Sequence, residues 1–163
     1  MSQLTPCEPG TVGAALEDQG SFCGFIADGR HVDPAVLRVA LRCKRADRMM
    51  LVTDAMPSVG TSSKTFMLEG RTIRVEGAVC LAPDGTLAGT NLDMATAVRN
   101  AMELLGLDLI AAVGMATRNP ANFLGLADQL GSIRAGQRAN LVLVNDALNV
   151  LETWIDGRAQ RTA

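Results

Sequence analysis

Two aspartates and the only histidine of the chain are the side chains best placed by sequence for chemistry. Asp54 closes the apolar run Met49-Met50-Leu51-Val52-Thr53. A carboxylate at the end of a buried strand is costly unless it is hydrogen-bonded, metal-bound or functional. Asp also caps turns at strand-to-loop junctions, so position alone leaves both readings of Asp54 open. His31 lies just past the apolar run 22–27, on the loop Asp28-Gly29-Arg30-His31. An imidazole there can donate or accept hydrogen bonds and change charge near neutral pH. A lone His is more often structural, but Asp28 and His31 together, at the same end of the fold as Asp54, strengthen the functional reading. A third candidate is Leu87-Ala88-Gly89-Thr90-Asn91, read as a loop into a helix N-terminus whose free amides could hold an anion or an acyl group. Ordinary capping by Thr90 explains the same pattern.

Other chemistry is limited by what the sequence holds. One histidine cannot build a multi-histidine metal site. Cys7, Cys23, Cys43 and Cys80 are widely spaced without a C-x-x-C pair, which favours reduced thiols. Cys23 and Cys43 fall in apolar patterns and read as small core residues, whereas Cys7 lies in a Pro/Gly-rich loop. No G-x-S-x-G, P-loop, G-x-G-x-x-G or H-E-x-x-H motif occurs. The eight methionines are scattered and read as core filling.

These residues need elements to carry them. Residues 2–13 hold Pro6, Pro9, Gly10 and Gly13 and read as a loop with no strand leading in, as if the chain began in the middle of a fold. A short strand over 22–27 follows, then a helix capped by Asp33 with Pro34 in its first turn. Its core face is expected to be Val36, Val39, Ala40 and Cys43, leaving Arg38, Arg42, Lys44 and Arg45 in solvent. A second buried strand covers 49–53. Non-alternating strands joined by a helix predict parallel pairing and a right-handed crossover, with chemistry at the carboxyl end. From Thr65 to Val79 the period shifts towards two, broken at Glu69-Gly70 and Glu76-Gly77, which predicts hairpins. A helix is expected over 90–105, with Thr90 and Asp93 resembling a capping box, then helices near 108–115 and 120–125. Strands close the chain at 140–144 and 150–155, before a turn at Asp156-Gly157.

With 163 residues, 48% of them apolar and 20% charged, the chain suits one globular α/β domain rather than a disordered segment. A net charge of −2 argues against nucleic-acid partners. No apolar run approaches a membrane span and no signal segment opens the chain, so a cytoplasmic setting without membrane partners is expected.

Several runs, in order, resemble the N-acetylglucosamine-6-phosphate deacetylases of the amidohydrolase superfamily. They are Glu8-Pro9-Gly10, the stretch from Gly24 to Val32, the stretch from Leu51 to Met56, and Leu87-Ala88-Gly89-Thr90. Ala97-Val98-Arg99-Asn100, Met115-Ala116-Thr117 with Asn119-Pro120-Ala121, the stretch 130–136 and Ala139-Asn140-Leu141-Val142 extend the likeness. The resemblance implies a metal-dependent (β/α) barrel with a small β-sandwich built from both chain ends, of which this chain matches the C-terminal part. Residues 1–64 would hold the last two barrel strands, 65–135 a hairpin and helices completing the barrel end, and 136–163 part of the sandwich. The implied reaction is hydrolysis of the N-acetyl group of N-acetylglucosamine 6-phosphate. Asp54 matches the catalytic aspartate that takes a proton from metal-bound water and passes it to the leaving amine. His31 matches a substrate-contacting histidine on the loop with Asp28, Gly29 and Arg30, and Leu87, Ala88 and Gly89 match a substrate-contacting loop.

In the same resemblance the metal ligands, a Glu and two His, lie before the first residue here, and Met1 matches the end of the motif after the second His. A divalent metal such as zinc is therefore expected for the complete enzyme, none is held by this chain, and the chain alone is expected to be inactive. Its partner would be a complementing N-terminal half or another copy of itself. The alternative is a non-catalytic, oligomerising remnant. One departure concerns the phosphate: Cys7 stands where the family has an Arg, and a thiol does not replace a bidentate guanidinium.

Overall fold

Two four-residue strands carry the loops that matter for function. Strand β1 (Cys23–Ile26) and strand β2 (Met49–Val52) pair in parallel, in the register Cys23↔Met49 to Ile26↔Val52. In the computed structural model, which describes residues 3–160, helix α1 (Gly10–Glu17) precedes β1 and helix α2 (Pro34–Cys43) connects β1 to β2. Met1, Ser2 and residues 161–163, and the expectations that fall on them, lie outside the described residues.

The first helix corrects the loop reading of 2–13 from Gly10 onward, while residues 3–9 hold neither helix nor strand. Pro9 supplies the helical φ of −67° at the cap, and the chain from Gly10 winds into a full α1. In α2, Asp33 caps as expected: its side chain accepts from Ala35 N at 2.7 Å. The buried face of α2 differs from the one expected. Leu37 is in the core with Ala40 and Leu41 against it, while Val36, Val39 and Cys43 are exposed. Lys44 is the larger departure. It is buried, and its ammonium donates to Ala15 O at 2.7 Å, to Asp18 O, and to Ser21 Oγ at 3.2 Å. The end of α1 supplies unpaired carbonyls that an ammonium satisfies, and these outweigh the preference of Lys for water.

The period-two stretch forms a four-stranded antiparallel sheet in the order β3 (Thr65–Leu68), β4 (Arg71–Glu76), β5 (Val79–Leu81), β6 (Leu87–Thr90). It has a core of its own from Ile73, Val75, Cys80 and Ala82. Leu87 to Thr90 is thus a strand and not a loop, and the following helix α3 (Met94–Leu105) starts four residues later than expected. Asp93 is its cap, accepting from Thr96 N at 2.8 Å, because the Thr90 hydroxyl is committed elsewhere.

Helices α4 (Leu109–Ala116, capped by Asp108) and α5 (Arg118–Phe123) follow, then a three-stranded antiparallel sheet of β7 (Leu141–Val144), β8 (Val150–Ile155) and β9 (Arg158–Gln160). The main core joins Phe25, Ala27, Met49 and Leu51 from the parallel strands to Val98, Ala101, Leu105, Ala112 and Met115 from α3 and α4. No helix among the described residues is long and apolar enough to cross a membrane.

Candidate functional site

The register of the parallel pair decides where the candidate side chains meet. Asp28 and Asp54 each lie two residues beyond the last paired positions, Ile26 and Val52, so the carboxyl ends of the two strands present them side by side. The loop after β1 turns tightly at Gly29, whose φ is 67°, and folds back on Asp28. Asp28 Oδ1 accepts from Arg30 N and His31 N, both at 2.9 Å, and Oδ2 lies 2.6 Å from His31 Nδ1. The Asp28 side chain has no exposed surface. Burial pushes its carboxyl up, but the two backbone amides and the His31 ring outweigh that and hold it below the ordinary aspartate value. An ionised carboxylate only accepts, so His31 Nδ1 carries a proton and its Nε2 faces the other way.

That other face is directed at Asp54. His31 Nε2 stands 4.0 Å from Asp54 Oδ2, and the Asp54 side chain is half exposed. Asp28, His31 and Asp54 therefore form a chain from a buried carboxylate through an imidazole to an open one. Such an arrangement fixes the imidazole and leaves Asp54 free to exchange a proton with water or a bound group. Asp54 itself has a left-handed backbone, φ 53°, unusual outside glycine.

The remaining expected site residues divide. Gly29 and Arg30 serve the turn through the backbone, and the Arg30 side chain is exposed. Leu87 is exposed, Ala88 half-buried and Gly89 buried on β6. β6 reaches the site through an isolated parallel bridge of Ala55 to Thr90, so the segment abuts Asp54 from the protein side. Cys7 is an exposed free thiol in a turn closed by Thr5, whose N donates to Glu8 O at 2.9 Å. The sequence reading placed Thr90 in a candidate anion- or acyl-holding segment or as a helix cap and gave Asn100 no role, but both bond the chain just past the parallel strands. The Thr90 hydroxyl donates to Thr53 O at 2.6 Å, and Asn100 Nδ2 donates to Ala27 O at 2.7 Å. The available signal for Asn100 was a lone amide beside the apolar stripe of α3.

Among the described residues, no group of three or more His, Cys, Asp or Glu side chains could hold a metal ion. His31 and Asp54 offer two donors, whereas a bound zinc takes about three protein ligands even in an open site. The residues present do not by themselves fit a divalent metal.

The amidohydrolase family model matches residues 15–159. The chain belongs to the amidohydrolase family. It is 46% identical to the N-acetylgalactosamine-6-phosphate deacetylase of Shewanella sp. (strain ANA-3), over 96% of this chain and 40% of that protein. It is 39% identical to the putative N-acetylgalactosamine-6-phosphate deacetylase of Escherichia coli (strain K12), over 97% of this chain and 94% of that protein. The crystal structure of N-acetylglucosamine-6-phosphate deacetylase from Pasteurella multocida superposes with a TM-score of 0.91 at 33% identity, covering 97% of this chain and 41% of that one. This amidohydrolase chain therefore spans about 40% of the length of its Shewanella relative and nearly all of the shorter one from E. coli K12.

Proposed function

We propose that this chain carries the proton-transfer half of an N-acetylhexosamine-6-phosphate deacetylase site and is inactive alone. The observation that supports it is the Asp28–His31–Asp54 line, with 2.6 Å between the first pair and 4.0 Å between the second. In the reaction a water oxygen attacks the acetyl carbonyl carbon while an Asp54 oxygen takes the water proton. The C–N bond then breaks, Asp54 returns that proton to the departing amine, and acetate leaves. His31, its tautomer set by Asp28, donates from Nε2 to a substrate oxygen beside Asp54 when that nitrogen is protonated. Leu87, Ala88 and Gly89 line the substrate against Asp54. The expected divalent metal finds too few donors here, which supports inactivity in isolation.

The barrel and sandwich assignment belongs to the same reading: β1 and β2 as the last barrel strands within 1–64, the β3–β6 sheet with α3 to α5 in 65–135, and β7 to β9 as part of a sandwich in 136–163. The partner is a complementing N-terminal half or a second copy, and the setting is the cytoplasm, in keeping with four free thiols.

A second reading concerns the sugar. N-acetylglucosamine 6-phosphate follows from the motifs and from the Pasteurella enzyme at 33% identity, but the relatives named for the galactosamine epimer are more similar, at 46% and 39%. Both epimers are therefore assayed. In the test, the N-terminal segment of the Shewanella relative is fused ahead of Gly10 and acetate release is measured with zinc present. The fusion is expected to release acetate, its Asp54→Asn variant to lose at least about a hundredfold, and the isolated chain to release none. Turnover by the isolated chain, or a folded fusion without turnover, overturns the proposal, the second outcome in favour of a non-catalytic remnant.

A further inference from the structure

One residue past each of the two strands, a carbonyl stands directly before a site aspartate: Ala27 O before Asp28 and Thr53 O before Asp54. Both carbonyls are taken by side chains from one short stretch of chain. Thr90 Oγ1 donates to Thr53 O at 2.6 Å and accepts from Leu92 N at 3.1 Å, so its single proton is committed to the Thr53 carbonyl. Asn100 Nδ2 donates to Ala27 O at 2.7 Å. Thr90 also grips the residues around Asp54 through its backbone. Its N donates to Asp54 O at 2.9 Å, and its O accepts from Met56 N at 2.9 Å.

These bonds fall where the backbone needs support. Asp54 has a φ of 53°, a conformation that costs L-residues energy, though Asp less than most, and that contacts around it can hold in place. Gly89 makes the approach possible: a Cβ there would stand 3.0 Å from Asp54 O and 2.7 Å from the Met56 side chain. The clamp is itself anchored, because Ala97, Val98, Ala101 and Leu105 bury α3 in the core.

We propose that Thr90 and Asn100 are positioning residues, a clamp from one segment that holds Asp54 and the Asp28–His31 pair facing each other. The proposal rests on the reading of those residues as the reacting groups, but its test needs no turnover. It is an NMR experiment on the isotopically labelled full chain. A positive φ brings the amide and α hydrogens of one residue together, so Asp54 should give a strong intraresidue cross-peak.

Thr90→Val, which keeps the volume and removes the hydroxyl, is expected to reduce that cross-peak to the level of ordinary residues. Thr90→Ser is expected to retain it. Asn100→Ala is expected to broaden or remove the His31 Nδ1 proton signal, which is unambiguous because the chain has one histidine. A folded Thr90→Val protein with the wild-type cross-peak, loss of it in Thr90→Ser, or an unchanged His31 signal in Asn100→Ala each overturns the clamp. Should Thr90→Val not fold, Asn100→Ala decides alone. A fusion without acetate release leaves all these signals as they are, so the two readings fail separately.

Discussion

At the scale of single residues, Asp28 does the most with the least exposure. Its carboxylate accepts two backbone amides and the His31 ring without any contact with water, so its charge is compensated by direct hydrogen bonds. Because its folded value lies below that of an unfolded aspartate, its contribution is complete above the unfolded value, near pH 4, and is lost as the pH falls through the lower folded one. Asp28→Asn is expected to cost about 2 kcal/mol at neutral pH and to flatten the acid limb of a plot of urea midpoint against pH. An acid limb as steep as the wild type would show that Asp28 does not carry that linkage. The asparagine amide would also face His31 Nδ1 as a donor, so the neutral ring should switch to the Nε2–H tautomer, visible in its nitrogen shifts. That tautomer places a proton on Nε2, the donor the proposed reaction asks of His31, so acetate release in the fusion is expected to persist while Asp54 is intact, and its loss would argue against that donor role.

At the scale of elements, Lys44 shows how a charged side chain can act as a cap at a distance. It reaches from the end of α2 to carbonyls at the end of α1, and Gln19 adds bonds from its amide to Leu16 O at 3.0 Å and Cys43 O at 3.0 Å. Lys44→Met keeps the apolar stem but leaves the part-buried Ala15 carbonyl to Cys23 Sγ at 3.6 Å and the Asp18 carbonyl to Ser21 Oγ at 3.3 Å, which is expected to cost about 1 kcal/mol. Faster amide exchange confined to α1 would accompany it, whereas exchange spread evenly over the chain would argue against a local cap. Lys44 also marks where reading the sequence stops. The parallel strands, the Asp33-Pro34 helix start and the Asp28–His31–Asp54 grouping were legible because each depends on neighbours in sequence or on strand register. The buried face of α2 was not: a ten-residue helix with apolar residues on several sides leaves the choice between Leu37 and Val36 to what packs on it. Thr90 was misread for a related reason. Its local pattern suits a cap, but its hydroxyl is claimed by Thr53 O, thirty-seven residues away in sequence.

At the scale of the whole molecule, the described residues leave apolar surface that a stable solution species has reason to cover. Val142 and Leu143 are adjacent on β7 and so point to opposite faces of the terminal sheet, yet they are 58% and 53% exposed. Leu151 and Ile155 on β8 are similarly open, at 55% and 54%. A sheet apolar on both faces is an inner layer by composition, and the two-stranded parallel sheet is likewise far narrower than parallel sheets buried by helices on both sides. Self-association is the outcome expected for the isolated chain, since a second copy offers the same uncovered strands and faces. Sedimentation across the micromolar range should give a mass above the monomer that grows with concentration. Val142→Lys combined with Leu143→Lys, which places a charge on each face, should move the chain towards the monomer without changing its circular dichroism. A wild-type chain that stays monomeric throughout that range would remove self-association as the way this surface is covered. It would leave a complementing N-terminal half as the partner, which the fusion experiment then tests directly: the fusion should sediment with less concentration dependence than the isolated chain.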